Sequence, residues 1–285
     1  MAKQKRDFFQ QITNQIIEQL ESGNIPWLKP WKNGKNADPS MPYNAATKRA
    51  YNGVNVLILW GSQYSSNGWV TFKQALDLGG KVKKGEKGTS IAFWKFLNKK
   101  EADGNESSFP ILRTYTVFNI EQCEGLKLPK IEAIITEKTT ALNLALSNDA
   151  VVNHVGNKAF FVPSKDYISM PPQKNFDSNA HYDSVLLHEL THWSGHKNRL
   201  DRDFSGRFGT ESYAFEELVA EMGSAFLASS LGVTECTLQN TAYIKTWLKV
   251  LKNDKKAIFT AASKSKQATE FLLEAVEHVD ISSAA

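Results

Sequence analysis

His188-Glu189-Leu190-Thr191-His192 is the stretch on which the reading of this chain turns. On a helix, residues i and i+4 lie one turn apart on one face. Two imidazoles at that spacing can therefore reach one zinc ion at about 2.0–2.1 Å. The glutamate between them flanks the open coordination position, where it can take a proton from a bound water. The apolar period around the pentapeptide predicts a helix over about 180–194, with Gly195 placed to end it.

Two histidines do not complete a catalytic zinc site, which normally has three protein ligands and one exchangeable position. The pattern His-Glu-x-x-His-x-x-Gly-x-x-His needs a histidine at 198, and Asn198 stands there, so that solution is excluded. A second helix, predicted over 211–231, carries Phe215-Glu216-Glu217-Leu218-Val219-Ala220-Glu221. Glu217 and Glu221 are again i and i+4, so one can ligate while the other accepts the outer ring N–H of a ligand histidine. We assign the metal to His188, His192 and Glu217, the ring N–H to Glu221, and proton transfer to Glu189. Glu216, about 100° round the helix from Glu217, is expected to face solvent. His196 and Tyr213 are candidate donors to a transition state. Such a site accepts manganese or cobalt as well as zinc.

The rest of the chain excludes other classes. Its 285 residues are 41% hydrophobic and 22% charged, which describes a folded globular protein rather than a disordered or collagen-like one. No apolar run approaches the roughly 18 residues a membrane-spanning helix needs. The basic N-terminus leads into an amphipathic stretch, not a secretory signal. With only Cys123 and Cys236, no disulfide framework is expected, and the cytoplasm is the expected compartment. The net charge of +4 is unevenly placed. Residues 1–125 hold 17 Lys+Arg against 11 Asp+Glu, and 126–285 hold 17 against 19, so +6 is joined to −2. We expect an α+β protein of two domains, 1–125 and 126–285, the first facing a polyanion.

The first part opens with an amphipathic helix on Phe8, Phe9, Ile12, Ile16 and Leu20, then a proline-rich loop over 25–43. The stretch 51–60 suits helix or buried strand equally. Residues 89–97 and 111–120 form a predicted hairpin, joined by an exposed loop over 98–109. The second part is expected to begin with a helix over 136–147. Strands 151–155 and 158–162 follow, paired around a Gly156-Asn157 turn, and then an extended piece at 166–170. Two further helices are predicted near 240–260 and 266–279.

Binding single strands without sequence preference needs cations for phosphates and aromatic faces for unstacked bases. The first part offers Trp27, Lys29, Trp31 and Lys32 in the proline-rich loop, and Lys81, Lys83, Lys84 and Lys87 around glycines. Trp94 and Tyr115 lie on the hairpin, with Trp60 and Trp94 expected in the core.

The run from His188 to His196, the tetrapeptide Arg199-Leu200-Asp201-Arg202 and the segment from Tyr213 to Glu221 together resemble the zincin-like metallopeptidase domain of ArdC-type antirestriction proteins. In the front half Pro26-Trp27, Pro30-Trp31, Pro42-Tyr43-Asn44, Tyr51-Asn52-Gly53 and the lysine turn resemble that family's domain for single-stranded DNA. The glutamate pattern is also similar to the third-ligand helix of gluzincin-type proteases, where an aspartate commonly stands in place of Glu221. The resemblance spans nearly the whole chain. It implies a protein of a plasmid, phage or other mobile element that binds single-stranded DNA and shields incoming DNA from restriction. Two rival readings are a pure DNA shield with a structural or inactive metal site, and a metalloprotease that cleaves a host restriction or regulatory protein.

Overall fold

The computed structural model describes residues 7–28, 41–62, 64–100, 106–128, 140–206, 210–233 and 243–282. In chain order these form α1 (Phe8–Glu21), β1 (Tyr43–Asn44), α2 (Val54–Trp60), β2 (Gly68–Thr71), α3 (Phe72–Asp77), β3 (Lys81–Val82), β4 (Thr89–Lys100), β5 (Glu106–Asn119) and β6 (Cys123–Glu124). There follow α4 (Ala141–Ser147), β7 (Val151–His154), β8 (Phe160–Val162), β9 (Tyr167–Met170), α5 (Asn179–Ser194), α6 (Glu211–Leu231), α7 (Ile244–Asn253) and α8 (Ala257–Ser282). The mixed α+β class agrees with the sequence. Contacts divide the chain into two compact units, Pro42–Glu132 and a second made of Met1–Met41 with Ala133–Ala285.

In the 42–132 unit the sheet order is β1-β2-β5-β4, with β1 parallel to β2 and the other pairs antiparallel. Successive side chains of a strand point to opposite faces. Trp69 therefore packs with Leu59 of α2, Ile91 and Val117, while its neighbour Val70 packs with Ala75 of α3, Ala45 and Cys123. Within the stretch 51–60, Val54–Trp60 is helix, its apolar run buried at Val54 and from Val56 through Trp60. Strands β4 and β5 run past the predicted hairpin, in continuous register from Thr89↔Val117 to Lys100↔Glu106, so much of the predicted loop is strand.

The other unit is built on α6. It is buried at Ala214 and at every position from Glu216 through Ser229, a helix covered all round rather than along one stripe. Helices α5 and α8 pack on it. Thr210 caps its N-terminus as Ser178 caps that of α5. Helix α1 belongs to this unit. Ile12 and Ile16 are buried, Phe9 meets Phe259 of α8 edge to face at 4.8 Å, and the Thr13 hydroxyl donates to the Lys255 carbonyl at 2.7 Å.

One topological expectation is overturned. Strands β7 and β8 do not pair around Gly156. The order is β7-β9-β8, with β9 parallel to β7 and antiparallel to β8. The later strand takes the middle, where Ile168 and Met170 are fully buried. Phe160 and Val151 on the flanking strands are exposed, and β8 becomes an edge. Among the described residues no helix is long and apolar enough to cross a membrane.

Candidate metal centre

The i, i+4 spacing on α5 brings Nε2 of His188 and Nε2 of His192 to 3.2 Å from each other. Across from them on α6, Glu217 sets one carboxylate oxygen 3.6 Å from His188 Nε2 and the other 3.5 Å from His192 Nε2. Four ligands arranged tetrahedrally at about 2.0–2.1 Å from a zinc ion stand roughly 3.3 Å apart. The three side chains therefore already lie close to the spacing a metal imposes, and among the described residues they are the one group of His, Cys, Asp and Glu so placed.

The electrostatics fit a cation as well. Glu189, Glu216, Glu217 and Glu221 are all buried around the two imidazoles, with Arg202 as the balancing guanidinium. Burial works against ionising Glu217, yet the two histidines hold its carboxyl well below the usual carboxylate range. Burial likewise works against the His192 cation, but Glu216 and Glu217 push the ring up to about 10. Burial dominates at Glu189 and raises its carboxyl, and the Phe161 backbone N–H donates to it.

These side chains open on a cavity of about 240 Å³, walled by Phe160, Phe161, Pro163, Phe204 and Tyr213. Tyr213 faces Glu217 and Tyr243, and burial followed by the Glu217 charge raises its phenol, so it stays protonated. His196 lies elsewhere. Its Nδ1 accepts from the Asn198 backbone N–H at 3.3 Å and stands 3.9 Å from Asp166, on an adjoining cavity.

Glu216 is not solvent-facing. It is 6% exposed, places a carboxylate oxygen 3.2 Å from His192 Nδ1, and accepts from Arg202. A turn of 100° from Glu217 leads to solvent only on a helix with a wet face, and this part of α6 has none. The ring N–H assigned to Glu221 thus goes to Glu216. Burial works against the His188 cation, but the Glu217 hydrogen bond and, after it, the charge of the buried Glu221 raise the ring, while among the described residues its Nδ1 has no hydrogen-bond partner. Arg202 and Glu216 were missed, although a charged residue in a helix apolar on every side has to be paired.

The nucleic-acid candidates divide. Trp27 is 1% exposed and meets Trp247 of α7 edge to face at 5.7 Å, so it is a core residue of the unit that holds the metal site. Lys29, Trp31 and Lys32 lie outside the described residues. Lys81 pairs with Glu124 at 3.2 Å and Lys83 donates to the Glu121 carbonyl at 2.8 Å, both at the surface, while Lys84 and Lys87 are exposed. Trp60 is buried as expected. Trp94 is not: it is 44% exposed on β4.

Residues 139–264 match the zincin-like metallopeptidase family, and residues 6–118 match the N-terminal domain of the anti-restriction factor ArdC. The crystal structure of the antirestriction ArdC protein from plasmid R388, metal-free, superposes with a TM-score of 0.81 at 38% identity, covering 96% of this chain and 99% of that one. Its Mn(II)-bound form gives 0.79 at 37% identity, over 95% and 98%. Among curated proteins, y4eC of Sinorhizobium fredii, itself uncharacterised, is 37% identical over 93% of this chain and 91% of its own length. A DNA primase TraC of Escherichia coli is 36% identical over 96% of this chain, which spans only 28% of that relative, and a second TraC is spanned over 20%.

Proposed function

Because the chain belongs to the ArdC family of antirestriction proteins, we propose that it protects incoming DNA of a mobile element from host restriction, binding single-stranded DNA and carrying a working metallopeptidase site. The convergence of His188, His192 and Glu217 supports the peptidase part. A zinc or manganese ion held by them supplies Lewis acidity toward a peptide carbonyl and a water. Glu189, raised by burial, is suited to take a proton at its carboxylate and return it to the leaving amine. Tyr213 lines the cavity with its phenol protonated, which supports a role for its hydroxyl as donor to a developing oxyanion. Strand β8 is an edge beside Glu189, so an extended peptide can add to it, with Phe160, Phe161, Pro163 and Phe204 excluding water.

The DNA part is supported by the two-stranded ribbon of β4 and β5. Partners directly opposite share a face. The pairs Ile91↔Tyr115 and Phe93↔Arg113 therefore put Phe93, Tyr115 and Arg113 on one side, with Lys95 two residues beyond Phe93 on that same side. Phe93 and Tyr115 are 52% and 47% exposed and lie edge to face at 5.6 Å. Aromatic faces beside cations, in a unit whose 13 Lys+Arg exceed its 8 Asp+Glu, suit unstacked bases and phosphates.

Binding of the full chain to single- and double-stranded oligonucleotides across a salt series tests this. Preference for the single strand, with affinity falling steeply as salt rises, is expected; equal or salt-independent binding overturns it. A panel of host restriction and regulatory proteins incubated with metal-loaded protein tests the peptidase part, and an intact panel favours the shield reading.

A further inference from the structure

We propose that Arg202 and Glu216 together form a positioning device for His192, setting which ring nitrogen faces the metal. The inference rests on the metal reading of His188, His192 and Glu217. Arg202 Nε lies 3.2 and 3.1 Å from the two Glu216 oxygens, and its Nη2 lies 2.9 Å from Oε1, the oxygen that also stands 3.2 Å from His192 Nδ1. The same guanidinium donates from Nη2 to the Thr191 carbonyl and from Nη1 to the Ser194 hydroxyl at 3.1 Å. Both acceptors belong to the turn of α5 that carries His192. The Glu216 carboxylate, on α6, is thereby located against the backbone of the histidine it serves.

The chemistry of the pair fixes the tautomer. A guanidinium does not lose its proton in a protein, so the carboxylate beside it remains an acceptor. The nitrogen facing that acceptor has to carry the hydrogen, which leaves the Nε2 lone pair directed at the metal. The chain also reserves room for the device. A Cβ on Gly195 would fall 2.6 Å from Arg202 Cζ, so the residue that ends α5 has no side chain where the guanidinium passes. Among the described residues His188 has no counterpart, since its Nδ1 lacks a hydrogen-bond partner there. The device serves one ligand of the two.

The test uses the full chain, with zinc alone as the probe, titrated against a chromophoric chelator. Glu216→Gln and Arg202→Lys should each hold zinc about 10–100-fold less tightly than wild type, although Arg202 touches no metal ligand. Nitrogen-15 spectra of the zinc-loaded wild type should show His192 bound through Nε2, with a slowly exchanging Nδ1–H. That N–H should exchange faster in both variants. Zinc affinity within twofold of wild type in the folded variants, or His192 bound through Nδ1, overturns the proposal. A fall in thermal midpoint with unchanged zinc affinity also overturns it, since that is the signature of a merely structural pair. If Glu216→Gln fails to fold, Arg202→Lys and the wild-type spectrum decide. Wild type that takes up neither zinc nor manganese instead removes the metal reading beneath the proposal.

Discussion

Gly223 of α6 lies so close to Thr191 of α5 that a Cβ on it would fall 2.5 Å from Thr191 Cγ2. Thr191 separates the metal-site glutamate from the second histidine, and Gly223 sits between Glu217 and the buried end of α6. Their contact sets the backbone of α6 close against α5, on the two helices that carry Glu217 and the imidazoles. Gly223→Ala gains about 1 kcal/mol of helix propensity but overpacks the contact at a cost of 1–3 kcal/mol, so a modest net loss in urea unfolding is expected. Gly223→Val should lose more, and zinc affinity should fall with it as α6 is pushed outward.

Glu189→Gln keeps the size of the side chain and removes its ability to hold and release a proton. Peptide cleavage should drop at least 100-fold, while zinc content, thermal midpoint and binding of single-stranded DNA stay at wild-type values. Antirestriction that survives this change in a conjugation assay assigns protection to DNA binding alone.

Phe93 and Tyr115 predict one signature and the lysines another. Phe93→Ala with Tyr115→Ala should weaken single-strand binding by about 1–3 kcal/mol per base lost and leave its salt dependence unchanged. Lys84→Gln with Lys87→Gln should instead lower the slope of log affinity against log salt by about 0.7 for each phosphate contact removed. Fluorescence anisotropy over a salt series reads both.

Trp27→Ala should behave as a core truncation. A loss of about 3–5 kcal/mol in stability is expected, because the ring packs on Trp247, which is stacked in turn on Tyr243. The salt slope of DNA binding in the folded protein should not change.

Asp166 carries a pH dependence. Hydrogen bonds from Arg199, at 2.9 Å from Nη1, hold its carboxyl below the ordinary value. A carboxyl lowered in the folded state contributes stability that is complete above its unfolded value, near 3.9, and is lost as pH falls through the folded one. The difference between wild type and Asp166→Asn in urea unfolding should therefore be present at pH 7 and shrink steadily below about pH 4. Arg199 also lies 3.6 Å from the centre of the Trp193 ring, so this ion pair anchors the loop after α5.

The metal ligands were legible because they obey a local rule: one turn of helix fixes His188 against His192 whatever surrounds it. The third ligand followed from a second local repeat, Glu217 and Glu221. What failed was everything set by the neighbours of an element rather than by the element itself. Glu216 was misplaced because helical geometry says where a side chain points, and only packing says whether water is there. Strand β9 entered between β7 and β8, and a Gly-Asn turn cannot report a competitor further along the chain. Trp27 and Trp94 exchanged expected roles for the same reason, one packed on Trp247 of α7 and the other left exposed on β4.

Helix α1 is joined in sequence to the 42–132 unit and in space to α7 and α8. The polypeptide thus leaves one folded body, completes another, and returns. Division at residue 126 would strip Ile12 and Ile16 from their partners and leave the metal-bearing fragment with an uncovered apolar groove. The separable piece is an internal one. Replacing residues 42–132 by a flexible bridge keeps α1 in the chain, and tests whether the proposed peptidase chemistry separates from the proposed nucleic-acid binding.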